Sequence, residues 1–332
     1  MTEPALLAVR DVVRAYPLPR RHPLAPAGTV RAVAGVSLDL ARGESLGIVG
    51  ESGCGKSTLS RLVTALEPPD AGRVHIAGHD PNTLPRMALR RLRRRVQMVF
   101  QDPMGSLDPR WTVARIVAEP LAGLAPDVPR ADRRARVAEA LAAVGLGAEA
   151  LDLYPHQVSG GQRQRIAIAR ALVTDPDLVV ADEPVSALDV SVQAQVLNLF
   201  LDLRARRGLA LLFVSHDLDV VRHVTERVLV MVHGHAVETG PTEAVLSRPA
   251  HPHTAALRAA VPRIEAAWEG RARARHAGAP PPPEDVRPGD GCVYRARCPW
   301  AVDHCARAVP TLEPVGPGRS AACFRAREVM GG

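Results

Sequence analysis

The run Gly50-Glu51-Ser52-Gly53-Cys54-Gly55-Lys56-Ser57 has the spacing G-x-x-x-x-G-K-[ST], and its Lys56 is the only lysine in the chain. The apolar run Ser45 to Val49 before it predicts a buried strand, and Lys56 to Leu66 predicts a helix, which is the setting this motif requires. Glycines there let the chain bend so that successive backbone N–H groups face phosphate oxygens, and the positive end of the helix dipole adds to the pull. Lys56 would then reach the β and γ phosphates, and the Ser57 hydroxyl would face Mg²⁺. The expected ligand is Mg-ATP, held by Gly50, Ser52, Gly53, Cys54, Gly55, Lys56, Ser57 and Thr58, with the Cys54 side chain incidental. A chance glycine-rich turn is the competing reading, and the strand and helix flanks weigh against it.

A second constellation is Leu178-Val179-Val180-Ala181-Asp182-Glu183, an apolar strand ending in two carboxylates. In α/β folds ligands bind at the carboxyl ends of strands, so Asp182 suits the metal and Glu183 suits the water that attacks the terminal phosphate. Alone, such a strand end is common; beside a phosphate loop it gains weight. A third is Ser159-Gly160-Gly161-Gln162, after Val158 and ahead of the helical run Ile166 to Leu172. Ser159 is a natural N-cap and the glycines admit an anion, which makes a second phosphate-binding helix start. Two such starts on one nucleotide make sense where the second serves the nucleotide of a neighbouring subunit.

These residues need a scaffold. Strands are predicted at Ser45 to Val49, Val96 to Phe100, Leu178 to Ala181, Leu209 to Val214 and Val228 to Val232, each apolar on both faces, as parallel strands covered by helices are. Between Asp102 and Gln164 the text becomes rich in alanine and arginine, as in Arg130 to Val144, and reads as an inserted helical subdomain. A basic stretch, Arg271 to His276, and four prolines, Pro280 to Pro283, read as a connector to a small module beginning near residue 285. No internal repeat is visible.

Composition limits the function classes. No stretch approaches the roughly 18 to 20 apolar residues that cross a bilayer, and Met1 to Arg10 lacks the pattern of a secretory signal, so a cytoplasmic protein is expected. The net charge of +7 is carried by arginine, and the cluster Arg90, Arg91, Arg93, Arg94 and Arg95 reads as a solvated face ahead of contact with a membrane or an acidic partner. Aromatic residues are 3% of the chain, too few to interleave with basic ones, so nucleic-acid binding is not favoured.

Taken in order, the phosphate loop, Gln101, Ser159 to Gln162, Asp182-Glu183, Ser186-Ala187-Leu188-Asp189 and His216 closely resemble the ATPase domain of ABC transporters, over roughly residues 5 to 250. The resemblance implies an α/β P-loop NTPase fold: a mixed sheet core, an inserted helical subdomain at about 102–164, and a small Cys-rich C-terminal module within an extension at 251–332. It implies that ATP lies between the phosphate loop of one subunit and Ser159, Gly160, Gly161 and Gln162 of another. Glu183, His216 and Gln101 would be catalytic; Ser57, Gln101 and Asp182 would face Mg²⁺; Asp189 would cross the interface. Tyr16 stands where the family stacks an aromatic ring on adenine, against the plainer reading of a packed surface tyrosine. Val158 replaces the commoner leucine and keeps the apolar contact.

Three segments look like the oligopeptide and dipeptide importer ATPases: Gln101 to Arg110, Tyr154-Pro155-His156, and the tail. The tail carries His251-Pro252-His253-Thr254 where those proteins have His-Pro-Tyr-Thr. Ser106 to Trp111 looks more like the second of their two paired ATPases. The implied partners are therefore a second, different ATPase subunit in a heterodimer, two membrane permeases and an extracytoplasmic substrate-binding protein. The implied location is the cytoplasmic face of the cell membrane, as a peripheral subunit. Nickel or another solute is the alternative cargo, and a soluble ABC ATPase outside transport is the alternative class.

Cysteines 292, 298, 305 and 323 follow the spacing C-x₅-C-x₆-C-x₁₇-C. Cytosolic thiols stay reduced, so a metal centre is the better expectation. Zinc prefers cysteine pairs two to four residues apart, absent here. A [4Fe-4S] cluster on Cys292, Cys298, Cys305 and Cys323 is compatible, and some peptide importer ATPases with a similar tail hold one. Zinc and free thiols stay open, as does a redox sensor acting on the ATPase.

Overall fold

The computed structural model describes residues 5–18, 28–260 and 291–331. The basic stretch Arg271 to His276, the prolines Pro280 to Pro283 and the expected boundary near residue 285 lie outside the described residues. The chain divides into two compact units, one comprising 1–12, 37–46 and 57–215, the other 13–36, 47–56 and 216–332.

The first unit carries three strands in parallel register: β5 (Val96–Val99), β6 (Leu178–Asp182) and β7 (Ala210–Ser215), with Val99 opposite Ala181 and Asp182 opposite Val214. Every residue of β6 and β7 is buried. Apolar side chains on both faces explain this, since each large one withdrawn from water contributes about 1.5–3 kcal/mol. Helix α7 (Val190–Arg207) packs Phe200 edge-on against Phe213 of β7, ring centroids 5.8 Å apart. Asp189 caps α7, and Gly208, at φ 61°, ends it.

Between β5 and β6 the chain is helical. After the short turn α3 (Pro103–Ser106) come α4 (Val113–Leu124), α5 (Arg130–Ala143) and α6 (Gly160–Leu172). The last three pack on one another, and their Ile116, Val117, Leu121, Val137, Leu141 and Ile166 are all buried.

The arginine cluster ahead of β5 differs from its expected role. Arg93 donates to the Ala65 carbonyl at 2.7 Å, Arg94 binds both carboxylate oxygens of Asp127, and Arg95 pairs with Asp177 at 2.5 Å. These three guanidiniums staple α2 (Arg86–Arg95) to its surroundings instead of forming an open charged face.

In the second unit, β8 (Arg227–Val232) and β9 (His235–Pro241) form an antiparallel hairpin. The two-residue turn His233-Gly234 has φ 44° and 83°, the positive values that match the twist of paired strands. The run at Val228 to Val232 was expected beside parallel neighbours; its pairing with β9 is antiparallel, and apolar content alone does not distinguish the two. The strands β10 (Glu313–Gly316) and β11 (Arg319–Ala321) extend this pairing, with Ser320 opposite Thr239.

Under that edge lies Glu238, fully buried. It accepts from the N–H groups of Ala250 and His251 at 2.9 and 3.0 Å and pairs with Arg319 at 3.0 Å, drawing residues 250–251 and β11 onto β9.

Candidate functional site

The phosphate loop follows β3 (Ser45–Val49) and runs into α1 (Lys56–Val63). Its bend needs glycine at two points. Gly53 has φ 78°, and Gly55, at φ 106°, lies so close to the Ala32 carbonyl that no Cβ fits. The β8–β9 turn braces the loop: the Gly234 N–H donates to the Cys54 carbonyl at 2.8 Å, and the Gly234 carbonyl accepts from Ala34 at 2.9 Å. Lys56, 4% exposed, donates from Nζ to the carbonyls of Gly50 and Glu51 at 2.8 and 3.0 Å. Burial pushes the Cys54 thiol up, as befits an inert side chain.

Glu51 is ion-paired through both oxygens to Arg297, at 2.7 and 2.8 Å. Arg297 holds its carboxyl below the usual range against the opposing cost of burial, with smaller help from His253 and His233. No local sequence signal joins Glu51 to Arg297, 246 residues away in the chain.

In the first unit, Asp182 ends β6 and is 4% exposed. Glu183 follows at φ 45°, the left-handed region a glutamate enters only when its surroundings hold it. Its N–H donates to the Val214 carbonyl at 2.9 Å and its carbonyl accepts from the Ser186 hydroxyl at 3.1 Å. Gln101, just past β5, donates from Nε2 to Glu183 Oε2 at 3.1 Å. The ends of β5 and β6 thus bring an amide and a carboxylate together, an arrangement able to orient a water and take its proton.

Ser159 caps α6 by a reciprocal box: the Gln162 N–H donates to Ser159 Oγ at 3.2 Å and the Ser159 N–H to Gln162 Oε1 at 2.9 Å. Ser159, Gly160 and Gln162 are exposed. A Cβ on Gly161 would stand 2.5 Å from Val192 Cγ1, so its bare backbone is what lets α6 approach α7. A Cβ on Gly160 would meet nothing within 4 Å. Asp189 accepts from the Val192 N–H and the Ser191 hydroxyl, which together hold its carboxyl low.

His216, exposed, follows β7. Tyr16, in β1 (Leu7–Pro17), is half-buried with the Arg14 guanidinium 5.0 Å from its ring centre.

Cys292, Cys298, Cys305 and Cys323 line a single cavity with His251, Tyr294 and Trp300. Burial pushes the thiols of Cys292 and Cys298 up, and that of Cys323 to about 11. Among the described residues no group of three or more His, Cys, Asp or Glu side chains is gathered tightly enough to hold one metal ion.

Residues 33–186 match the ABC transporter family, and residues 237–305 match the oligopeptide/dipeptide transporter C-terminal region. The chain is 47% identical to a probable peptide ABC transporter ATP-binding protein, y4tS, of Sinorhizobium fredii, covering 96% of this chain and 89% of that one. It is 45% identical to the dipeptide transport ATP-binding protein DppF of Escherichia coli, over 98% and 95% of the two chains. The chain belongs to the ABC transporter ATP-binding family. Among solved structures it is similar to the dimeric ATP-binding cassette MJ0796 in a post-hydrolysis state bound to ADP and Pi, with TM-score 0.63 and 30% identity over 71% of this chain and 98% of that one. An ABC ATPase of this kind binds ATP. Among the described residues no helix is long and apolar enough to cross a membrane.

Proposed function

We propose that this ABC ATPase binds Mg-ATP on the Gly50 to Thr58 loop, hydrolyses it with Glu183 as general base, and energises the import of di- or oligopeptides. The Gln101–Glu183 pair carries the catalytic reading. A water oriented by this pair loses a proton to Glu183 as its oxygen attacks the γ-phosphorus. The bond to the β-γ bridging oxygen breaks and ADP departs. Lys56 and His216 would steady the charge on the transferred group, and Tyr16 would pack the adenine. Ser57, Gln101 and Asp182 offer the oxygen donors a hard cation takes, and bound Mg²⁺ would neutralise phosphate charge.

Exposure of the Ser159–Gln162 helix start, with open space over Gly160, suits contact with the nucleotide of a second ATPase subunit in a heterodimer, and Asp189 would face the same partner. The dimeric state of the similar cassette supports that reading. Residues 5–250 would form the ATPase domain, with 102–164 as its helical subdomain, and 251–332 the extension carrying a cysteine module. Two permeases and an extracytoplasmic binding protein would complete the importer, this subunit lying on the cytoplasmic face.

The four cysteines would hold a [4Fe-4S] cluster. A cluster takes one thiolate per iron, and all four cysteines line the same cavity. The cluster would supply a cationic centre that keeps the thiolates deprotonated.

The match of residues 237–305 carries the peptide reading. Proteoliposomes with the permeases, binding protein and second ATPase test it. ATP-dependent uptake of a labelled dipeptide is expected; uptake of Ni²⁺ without dipeptide uptake would overturn the cargo.

A further inference from the structure

Glu51 brings a negative charge into a loop that is to hold a polyphosphate anion, and the C-terminal extension answers it. Arg297 lies in the turn Arg295–Arg297, between Cys292 and Cys298. Its Nη1 and Nη2 donate to Glu51 Oε2 and Oε1 at 2.7 and 2.8 Å, a fork-to-fork pair with side chains 21% and 41% exposed. The guanidinium is held from behind. Its Cζ is 5.8 Å from the Tyr294 ring centre, and that ring packs at 5.1 Å on His253 and 5.6 Å on His251, at the start of α10 (Pro252–Ala260).

Glu51 is meanwhile fastened on its other side. Its carbonyl accepts from Lys56 Nζ at 3.0 Å and from the Cys54 N–H at 3.2 Å. One residue therefore joins the loop lysine through its main chain to the extension through its side chain. Isolated surface ion pairs contribute little, but a two-pronged pair that is mostly covered fixes orientation as well as charge.

We infer that Arg297 is a positioning residue of the phosphate loop, neutralising Glu51 and holding the loop so that the C-terminal extension sets the affinity for ATP. The inference rests on the reading that Gly50 to Ser57 holds the phosphates. Without Arg297 the Glu51 carboxylate stands uncompensated near the incoming phosphate anion, and like charges repel most where water is partly excluded. Lysine keeps the charge but not the fork, so it replaces arginine only in part.

The test is ATP titration, by calorimetry with Mg²⁺ present, of the complete chain and of Arg297→Gln, Arg297→Lys, Glu51→Gln/Arg297→Gln and Lys56→Ala. Arg297→Gln should weaken ATP about tenfold, with Arg297→Lys between it and the unaltered chain. The double variant, having no carboxylate to neutralise, should return to within about threefold of the unaltered chain. Unchanged affinity in Arg297→Gln overturns the inference. So does a double variant as weak as the single one, since a merely structural loss would not be rescued by removing the second partner. Lys56→Ala should lose ATP binding; if it binds normally, the reading of the loop itself fails, whereas a dead Lys56→Ala beside an unaffected Arg297→Gln refutes only the role of Arg297.

Discussion

Gln101 Nε2 donates to Glu183 Oε2 at 3.1 Å, linking the residues that follow two adjacent parallel strands. The backbone of Glu183 is in the left-handed region, so its carboxylate is aimed by main-chain constraint as well as by the amide. Strain of this kind at a strand end suits a group that must meet a reacting water in one geometry.

Glu183→Gln should therefore bind ATP as the unaltered chain does and lose on the order of 10²-fold or more in turnover, because the base is gone while the shape stays. Phosphate release under saturating ATP, in the assembled transporter, measures it. Turnover near the unaltered rate would remove Glu183 from the role of base.

The two glycines of the signature should separate. Gly161→Ala drives a methyl against Val192 and should destabilise the first unit by about 1–3 kcal/mol, relieved by adding Val192→Ala. Gly160→Ala has room inside the chain and should melt within a few degrees of the unaltered protein, while ATPase activity of the assembled transporter falls. Thermal melts paired with ATPase assays distinguish a packing glycine from an interface glycine.

Glu238→Ala should be among the most damaging changes outside the nucleotide site. It leaves Arg319, 10% exposed, without its carboxylate, and removes the acceptor of the Ala250 and His251 N–H groups. Breaking a buried pair on one side costs about 3–5 kcal/mol, readable as a lower urea midpoint.

Acid should weaken the fold through the buried histidines. Burial depresses His251 to about 3, with a further push from His253. Burial also depresses His253 to about 4, opposed by Glu51 and reinforced by Arg297 and His233. Both imidazoles are neutral when folded and titrate near 6.5 when unfolded, so stability is full above pH 6.5 and is lost as pH falls toward 4. His253→Phe should leave the melting temperature at pH 7.5 unchanged or higher, since among the described residues neither ring nitrogen of His253 has a hydrogen-bond partner. It should shrink the stability lost between pH 6.5 and 5 by about 2 kcal/mol. An equal acid loss in the variant would remove His253 from the account.

Protein purified without oxygen should be brown, with iron and sulfide each near four per chain, if the cysteine cavity holds a [4Fe-4S] cluster. Colourless protein with one zinc would overturn the cluster. Burial raises three of the four thiols, so without a cationic centre they stay protonated and unreactive toward alkylating reagents at neutral pH.

The sequence by itself determined the elements whose chemistry is local. The strand Ser45 to Val49 and the helix beginning at Lys56 were legible because hydrophobic period and glycine spacing act over a few residues. The Ser159 cap was legible for the same reason, since a capping box closes within four residues. The arginines ahead of β5 were misread because only folding brings Asp127 and Asp177 to them. β8 was expected among parallel strands because a doubly buried run looks alike in either direction, and its antiparallel pairing depends on the His233-Gly234 turn. Arg297 and Glu51 are 246 residues apart. Their pairing had no sequence period to reveal it, and it arises only where the extension folds back against the phosphate loop: a charge pair is specified by distance in space, which local sequence does not encode.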